Sequence, residues 1–197
     1  VKLPFFLTPD KHYVGVAWYQ KKVTIPSNWK GERITLFLER PHIETTVWVN
    51  QQELGMQNSL CVPHVYDLTS AVTPGKTCLI TIRIDNRIKE INVGPDSHSI
   101  TDQTQGNWNG IVGRIELQAT PKVHFEDIQI YPDLNNQKAL VRMNIQSASS
   151  TKGDITLSAE SFNTDTQHKV APVQQSFHIR PGDNAIEMEL PMGKNFL

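Results

Sequence analysis

Apolar and polar residues alternate with a period of two through most of the chain. Residues 33–40 put Ile34, Leu36 and Leu38 on one side and Thr35, Phe37 and Glu39 on the other. Residues 76–86 repeat the pattern: Cys78, Ile80, Ile82 and Ile84 share one side, and Thr77, Leu79, Thr81, Arg83 and Asp85 the other. Side chains of a strand point alternately to opposite faces, so these runs predict strands with one face on a core and the polar-leaning face toward water. Between them, Thr45-Thr46-Val47-Trp48-Val49 is a run of β-branched and aromatic residues suited to a pleated, half-buried surface. Asn50-Gln51 interrupts it, and Asn tolerates the left-handed backbone of a tight hairpin. Glu53-Leu54-Gly55 begins the return. Further extended runs cover residues 13–25, 62–69 and 111–118, and Pro74-Gly75 is the turn that launches 78–85. No stretch carries a 3.6-residue stripe. The expected class is all-β, built as a two-sheet sandwich.

Ala119-Thr120-Pro121 reads as a boundary, giving domains 1–120 and 121–197. Beyond it, strands are predicted at 123–131, 139–147, 154–161, 174–180 and 184–190, separated by Pro132-Asp133, Asn135-Asn136 and Pro181-Gly182-Asp183. Residues 168–170 make a sixth. Short strands at this spacing fit an immunoglobulin-like sandwich, for which seven are expected, so the second domain reads as incomplete.

The net charge of −1 supplies no basic face, which excludes a nucleic-acid partner. No apolar run approaches the roughly 20 residues of a membrane helix, so no membrane span is expected. The two cysteines, Cys61 and Cys78, lie in or beside predicted strands and are expected to be buried thiols rather than a bridge. Residues 1–10, VKLPFFLTPD, lack the pattern of a signal peptide, and the compartment stays open.

Residues 87–107 break the periodicity. A connection of that length inside a compact domain is usually functional or disordered. Sugars present apolar ring faces and many hydroxyls, so a site for them wants an aromatic plate beside amides and carboxylates. Asp102, Gln105, Asn107, Trp108 and Asn109 have that chemistry and are the candidate substrate-binding residues. The competing reading makes Trp108 a core aromatic and the Asn residues turn formers. A second candidate surface is Gln57-Asn58-Ser59 with His64, for which a polar strand-end loop is the leading reading. Trp18, Trp29 and Trp48 are expected to be structural. Glu39, Glu44, Asp102, Glu126 and Asp127 have no diagnostic pairing and read as solvated acids. Ser97-His98-Ser99 lacks the strand–turn–helix context of a nucleophile. Cys61-x-x-His64 offers two ligands where zinc wants three or four, and no Gly-rich phosphate loop is present. No metal and no cofactor are expected.

Trp18-Tyr19, Ile25-Pro26, Trp29, Gly31, Val47-Trp48-Val49-Asn50, Gly55, Tyr66-Asp67-Leu68-Thr69, Pro74-Gly75, Asp85-Asn86 and Trp108-Asn109-Gly110-Ile111-Val112-Gly113 form an ordered series. It resembles the amino-terminal region of glycoside hydrolase family 2, which includes β-galactosidases, β-glucuronidases and β-mannosidases. One departure is Asn50-Gln51, where the family usually reads Asn-Gly. The resemblance implies a jelly-roll domain followed by an immunoglobulin-like one, and retaining hydrolysis by two carboxyl groups about 5 Å apart. In the family these are glutamates on a later barrel; no carboxylate here matches them, so no catalytic residue is assigned. The chain is therefore expected to be the non-catalytic amino-terminal part of a retaining exo-glycoside hydrolase of β-galactosidase type. Its expected partners are a carbohydrate substrate and the catalytic barrel domain of the same chain. In the resembling galactosidases a loop ahead of the Trp108 segment offers a carboxylate to substrate, and Asp102 is the nearest acid, at longer spacing. The alternative is a standalone carbohydrate-binding module or cell-surface adhesion protein.

Overall fold

The structure, a computed structural model, describes residues 13–89, 108–162 and 167–193. It divides into two compact units, Val1–Thr120 and Pro121–Leu197.

The first unit stacks two antiparallel sheets. One orders its strands β1 (Val16–Thr24), β6 (Thr77–Asp85), β3 (Glu44–Val49) and β4 (Gln52–Asn58); the other orders β5 (His64–Asp67), β2 (Arg33–His42) and β7 (Gly110–Thr120). The alternating residues do what their period predicts. Ile34, Leu36 and Leu38 of β2 meet Val47 and Val49 of β3, Ile80 and Ile82 of β6, and Tyr66, Leu68 and Ile25 in one core. Each fully buried aliphatic side chain contributes about 1.5–3 kcal/mol. Trp29 packs on that core as expected. The β3–β4 hairpin works without glycine because Asn50 itself takes the left-handed conformation, φ 53°. Its amide then joins the neighbouring strand: Asn50 N–H donates to Leu79 O at 2.7 Å, and Leu79 N–H to Asn50 Oδ1 at 2.9 Å.

A buried polar chain links the two sheets. Thr45 on β3 lies 2.6 Å from His64 Nδ1 and 2.7 Å from the Tyr66 hydroxyl on β5, and Tyr66 donates to the Thr45 carbonyl at 2.8 Å. His64 Nε2 meets the Ser59 carbonyl at 3.0 Å. A carbonyl only accepts, so Nε2 carries the proton and Nδ1 accepts from Thr45. All members are satisfied, which is what makes a polar network tolerable in a core.

Several expectations need correction. Cys78 is buried but Cys61 is exposed. Trp18 is 60% exposed on the outer face of its sheet rather than structural. Gln57 is tied at both ends of its amide to the Val65 backbone and His64 is buried, so that pair forms no open surface. Asp85, on the side of β6 expected to face water, is wholly buried.

The second unit pairs β14 (Gly182–Pro191), β9 (Lys138–Ser147) and β8 (Val123–Asp133) in one sheet, β10 (Thr151–Leu157) with β13 (Val173–Ile179), and the short β11 (Glu160–Phe162) with β12 (Gln167–Lys169). Val141, Met143, Ile145, Ile155, Ile179, Ile186 and Met188 form its core. On β8, Phe125, Ile128 and Ile130 pair with Ile145, Met143 and Val141 and so share their core-directed face. They are nevertheless 49%, 50% and 66% exposed.

Thr45→Val keeps the side-chain shape but removes the hydroxyl that joins β3 to β5. We expect a loss of about 1–3 kcal/mol, the cost of orphaning buried polar groups, seen as a lower urea midpoint at constant m-value; an unchanged midpoint would contradict the role given to the chain. Burial holds the His64 pKa below its ordinary value. The unfolded chain therefore binds the proton first, and stability should fall as pH drops below about 6.5.

Candidate functional site

Four segments meet at one end of the first unit: the lead into β1, the end of β2, the exit of β6 and the entry to β7. Asn86, just past β6, fastens three of them. Its Nδ2 donates to the Tyr13 carbonyl at 2.7 Å and to Asn109 Oδ1 at 2.5 Å. Its Oδ1 accepts from the Gly15 N–H at 2.7 Å, and its own N–H donates to the Gly15 carbonyl at 3.3 Å. A side-chain amide has little further capacity, so Asn86 positions the rim. Gly110 opens β7 at φ 76°, and a Cβ there would stand 2.3 Å from the Tyr19 hydroxyl oxygen. Only glycine permits both that backbone and that approach.

Trp108 lies against His42, ring centroids 5.4 Å apart and planes at 60°. Its indole nitrogen is buried and has no hydrogen-bond partner among the described residues. Tyr13, Tyr19, His42, Asn86, Asn109 and Gly110 line a cleft of about 160 Å³. A complete small-molecule pocket offers ~300 Å³ or more, so this cleft is too small to enclose a ligand by itself. Of the sequence-predicted residues, Trp108 and Asn109 stand at this rim; Asp102, Gln105 and Asn107 lie outside the described residues.

Beside the rim sits an ionic cluster that the sequence reading missed. Asp85 ends β6 opposite Val16 on one side and Glu44 on the other. Its Oδ2 is 2.9 Å from Arg83 Nη2, 2.7 Å from Arg87 Nη2 and 3.0 Å from Lys89 Nζ. Its Oδ1 accepts from Arg87 Nε at 2.8 Å and from the Arg87 N–H at 3.1 Å. Glu44 bonds Arg83 Nη1 at 2.7 Å and Lys89 Nζ at 2.8 Å. Hydrogen bonds from Arg87, then Lys89, hold the Asp85 carboxyl well below the usual carboxylate range despite its burial. Lys89, then Arg83, lower that of Glu44. Both acids are ionised at neutral pH and held by cations, so neither is placed to donate a proton. A usable signal existed: Arg83, Asp85, Arg87 and Lys89 recur at every second residue, the period of one strand face. Among the described residues, no group of three or more His, Cys, Asp or Glu could hold a metal ion. No helix among them is long and apolar enough to cross a membrane.

The family model for "Glycosyl hydrolases family 2, sugar binding domain" matches residues 3–121. The chain belongs to glycosyl hydrolase family 2. Similar family members include the β-glucuronidase of Paenibacillus borealis, 23% identical over 159 residues, covering 74% of this chain and 26% of that protein. The human β-glucuronidase is 24% identical over 181 residues, 81% of this chain and 27% of its own length. Among solved structures, a β-glucuronidase from Bacteroides uniformis shares the fold with a TM-score of 0.73 at 19% identity, covering 98% of this chain and 24% of that one. The chain thus spans about a quarter of the length of the family 2 relatives it matches.

Asp85→Ala leaves three cations around an empty position. We expect a destabilisation on the order of 3 kcal/mol, as when one partner of a buried ion network is removed. In the unsubstituted protein the folded pKa of Asp85 lies below the unfolded value near 3.9, so its contribution is full above about pH 5 and declines as pH falls toward the folded value. Denaturant titrations between pH 3 and pH 7 check both: the Asp85→Ala stability deficit should shrink with acidification. A deficit independent of pH would contradict the ionic account.

Proposed function

We propose that the chain is the non-catalytic amino-terminal region of a retaining exo-glycosidase of β-glucuronidase or β-galactosidase type. In this reading it scaffolds a barrel domain that carries the acid/base and the nucleophile, and lends the segment around Trp108 to the sugar pocket. The family match over residues 3–121 carries the proposal. Two features of the rim support it. Trp108, against His42, and Asn109 put an aromatic ring and an amide beside one cleft, and that cleft is too small to enclose a sugar without a further domain. The ionised state of Asp85 and Glu44 fits a part that binds rather than reacts. The residues Asp102, Gln105 and Asn107 belong to the same proposed contact.

The second unit is read as part of an immunoglobulin-like sandwich. The support is physical: Phe125, Ile128 and Ile130 sit on the core-directed face of β8 yet are half exposed or more, as they are when the facing sheet lacks a strand's width of cover.

The test is turnover of p-nitrophenyl β-D-glucuronide and β-D-galactoside. The whole protein should hydrolyse at least one; the 197-residue chain alone should hydrolyse neither. Trp108→Ala in the whole protein should lower kcat/KM by about tenfold, ~1.4 kcal/mol, with an unchanged circular dichroism spectrum. Turnover by the isolated chain, or unaltered kinetics for Trp108→Ala, would overturn the proposal.

A further inference from the structure

The two sheets of the first unit leave an open cleft along one margin. β1 ends the four-stranded sheet and β7 ends the three-stranded one. Residues paired directly across a ladder share a face. Tyr19, Lys21 and Val23 of β1 pair with Ile82, Ile80 and Cys78, and Ile115 and Leu117 of β7 pair with Leu38 and Leu36. These β1 and β7 residues therefore point toward the core. Yet Ile115 is 47% exposed and Tyr19 40%. Between the two strands lies a cleft of about 730 Å³, whose lining includes Tyr19, Ile115 and Leu117 and the core residues Leu36, Ile80 and Ile82. The opposite margin is closed by a side chain: Gln57 on β4 bonds both the N–H and the carbonyl of Val65 on β5.

We propose that residues 1–12 close this cleft as a strand antiparallel to the free edge of β7, with Leu3, Phe5 and Leu7 turned inward. Three features favour this occupant. The first is direction. Tyr13 and Gly110 line the same small cleft at the rim, and Asn86 fastens the Tyr13 carbonyl there. A chain that reaches Tyr13 along β7 travels from its Thr120 end to its Gly110 end. The second is register. Both members of a pair advance about 3.4 Å per residue. Ile115, Leu117 and Ala119 stand five, seven and nine residues past Gly110; Leu7, Phe5 and Leu3 stand five, seven and nine residues before His12. Ala119 pairs with the core residue Ile34, so the apolar parity of the segment meets the core-directed parity of β7. The third is tethering. A segment joined directly to Tyr13 meets the cleft at high effective concentration, ahead of parts of the protein joined at greater distance. Pro4 and Pro9 are compatible with it, because an edge strand has one side whose N–H groups pair with nothing. A pocket for a small molecule sets a few convergent polar groups in an apolar lining. Here the floor is Leu36, Ile80 and Ile82, the core itself, beside an open strand edge that invites pairing.

NMR and amide exchange on the isotopically labelled 197-residue chain test this. Phe5 and Leu7 should show nuclear Overhauser contacts to the methyl groups of Ile115 and Leu117. Amides of residues 115–119 should exchange about tenfold more slowly than in a chain lacking residues 1–12. Phe5→Ser should shift the Ile115 and Leu117 methyl signals and remove that protection. Phe6→Ser, on the opposite parity, should leave both as in the parent. Absence of any contact from Phe5 or Leu7 to β7 would overturn the proposal, as would equal effects of Phe5→Ser and Phe6→Ser. So would protection of 115–119 that is missing from the 197-residue chain and arises only in the whole protein, which would give the cleft to another segment. None of these outcomes bears on the Trp108 rim, whose own test is turnover of the whole protein.

Discussion

A carboxylate removed from water has to be matched by cations or protonated, and Asp85 is matched. The idealised cost of burying an unpaired charge is many kcal/mol, so the position of Asp85 dictates the positions of Arg83, Arg87 and Lys89 around it. That requirement does more than stabilise a strand end. Arg87 is gripped through its side chain and its backbone N–H, and the chain leaving β6 is steered by it. Asn86, held between two such residues, is thereby presented to Tyr13, Gly15 and Asn109. The rim at which β1, β6 and β7 come together depends on that chain path.

Strand β3 passes the constraint on through its alternation. Glu44 points outward into the ionic cluster, and Thr45, the next residue, points inward to His64 and Tyr66. One side chain binds neighbouring strands across the outer face; the other binds the two sheets through the core. Three residues on, Trp48 lies on the outer face, where it meets Trp18. The charged cluster, the Trp pair and the buried Thr45 network are thus set by one strand's period of two, each on the face that parity allows.

Much of this was legible in the sequence. The alternation in 33–40 and 76–86, the turn at Asn50 and the ordered series of family positions gave the all-β sandwich and the family. The site was less legible, because parity assigns a face but not its cover. Asp85 and Arg83 fell on the side expected to face water, and periodicity alone cannot say that Arg87 and Lys89 fold back over Asp85. Trp18 was read as structural because large aromatics usually are; its exposure follows from the absence of any described element over the outer face. Cys61 sits in the turn-rich link between β4 and β5, where flanking strands gave a misleading expectation of burial. The favoured reading of Gln57-Asn58-Ser59 with His64 as a polar strand-end loop agrees with Gln57 held by the Val65 backbone and His64 buried, though composition could not show those partners.

The most direct measurement is backbone ¹⁵N relaxation on Asp85→Asn under native conditions. If the ionic match at Asp85 holds the rim, order parameters at Gly15, Asn86, Arg87 and Asn109 should fall from about 0.85 toward 0.6 or lower, while Leu36, Val47 and Ile82 stay rigid. Order parameters at the rim that match those of the parent protein would contradict the claim that Asp85 positions it.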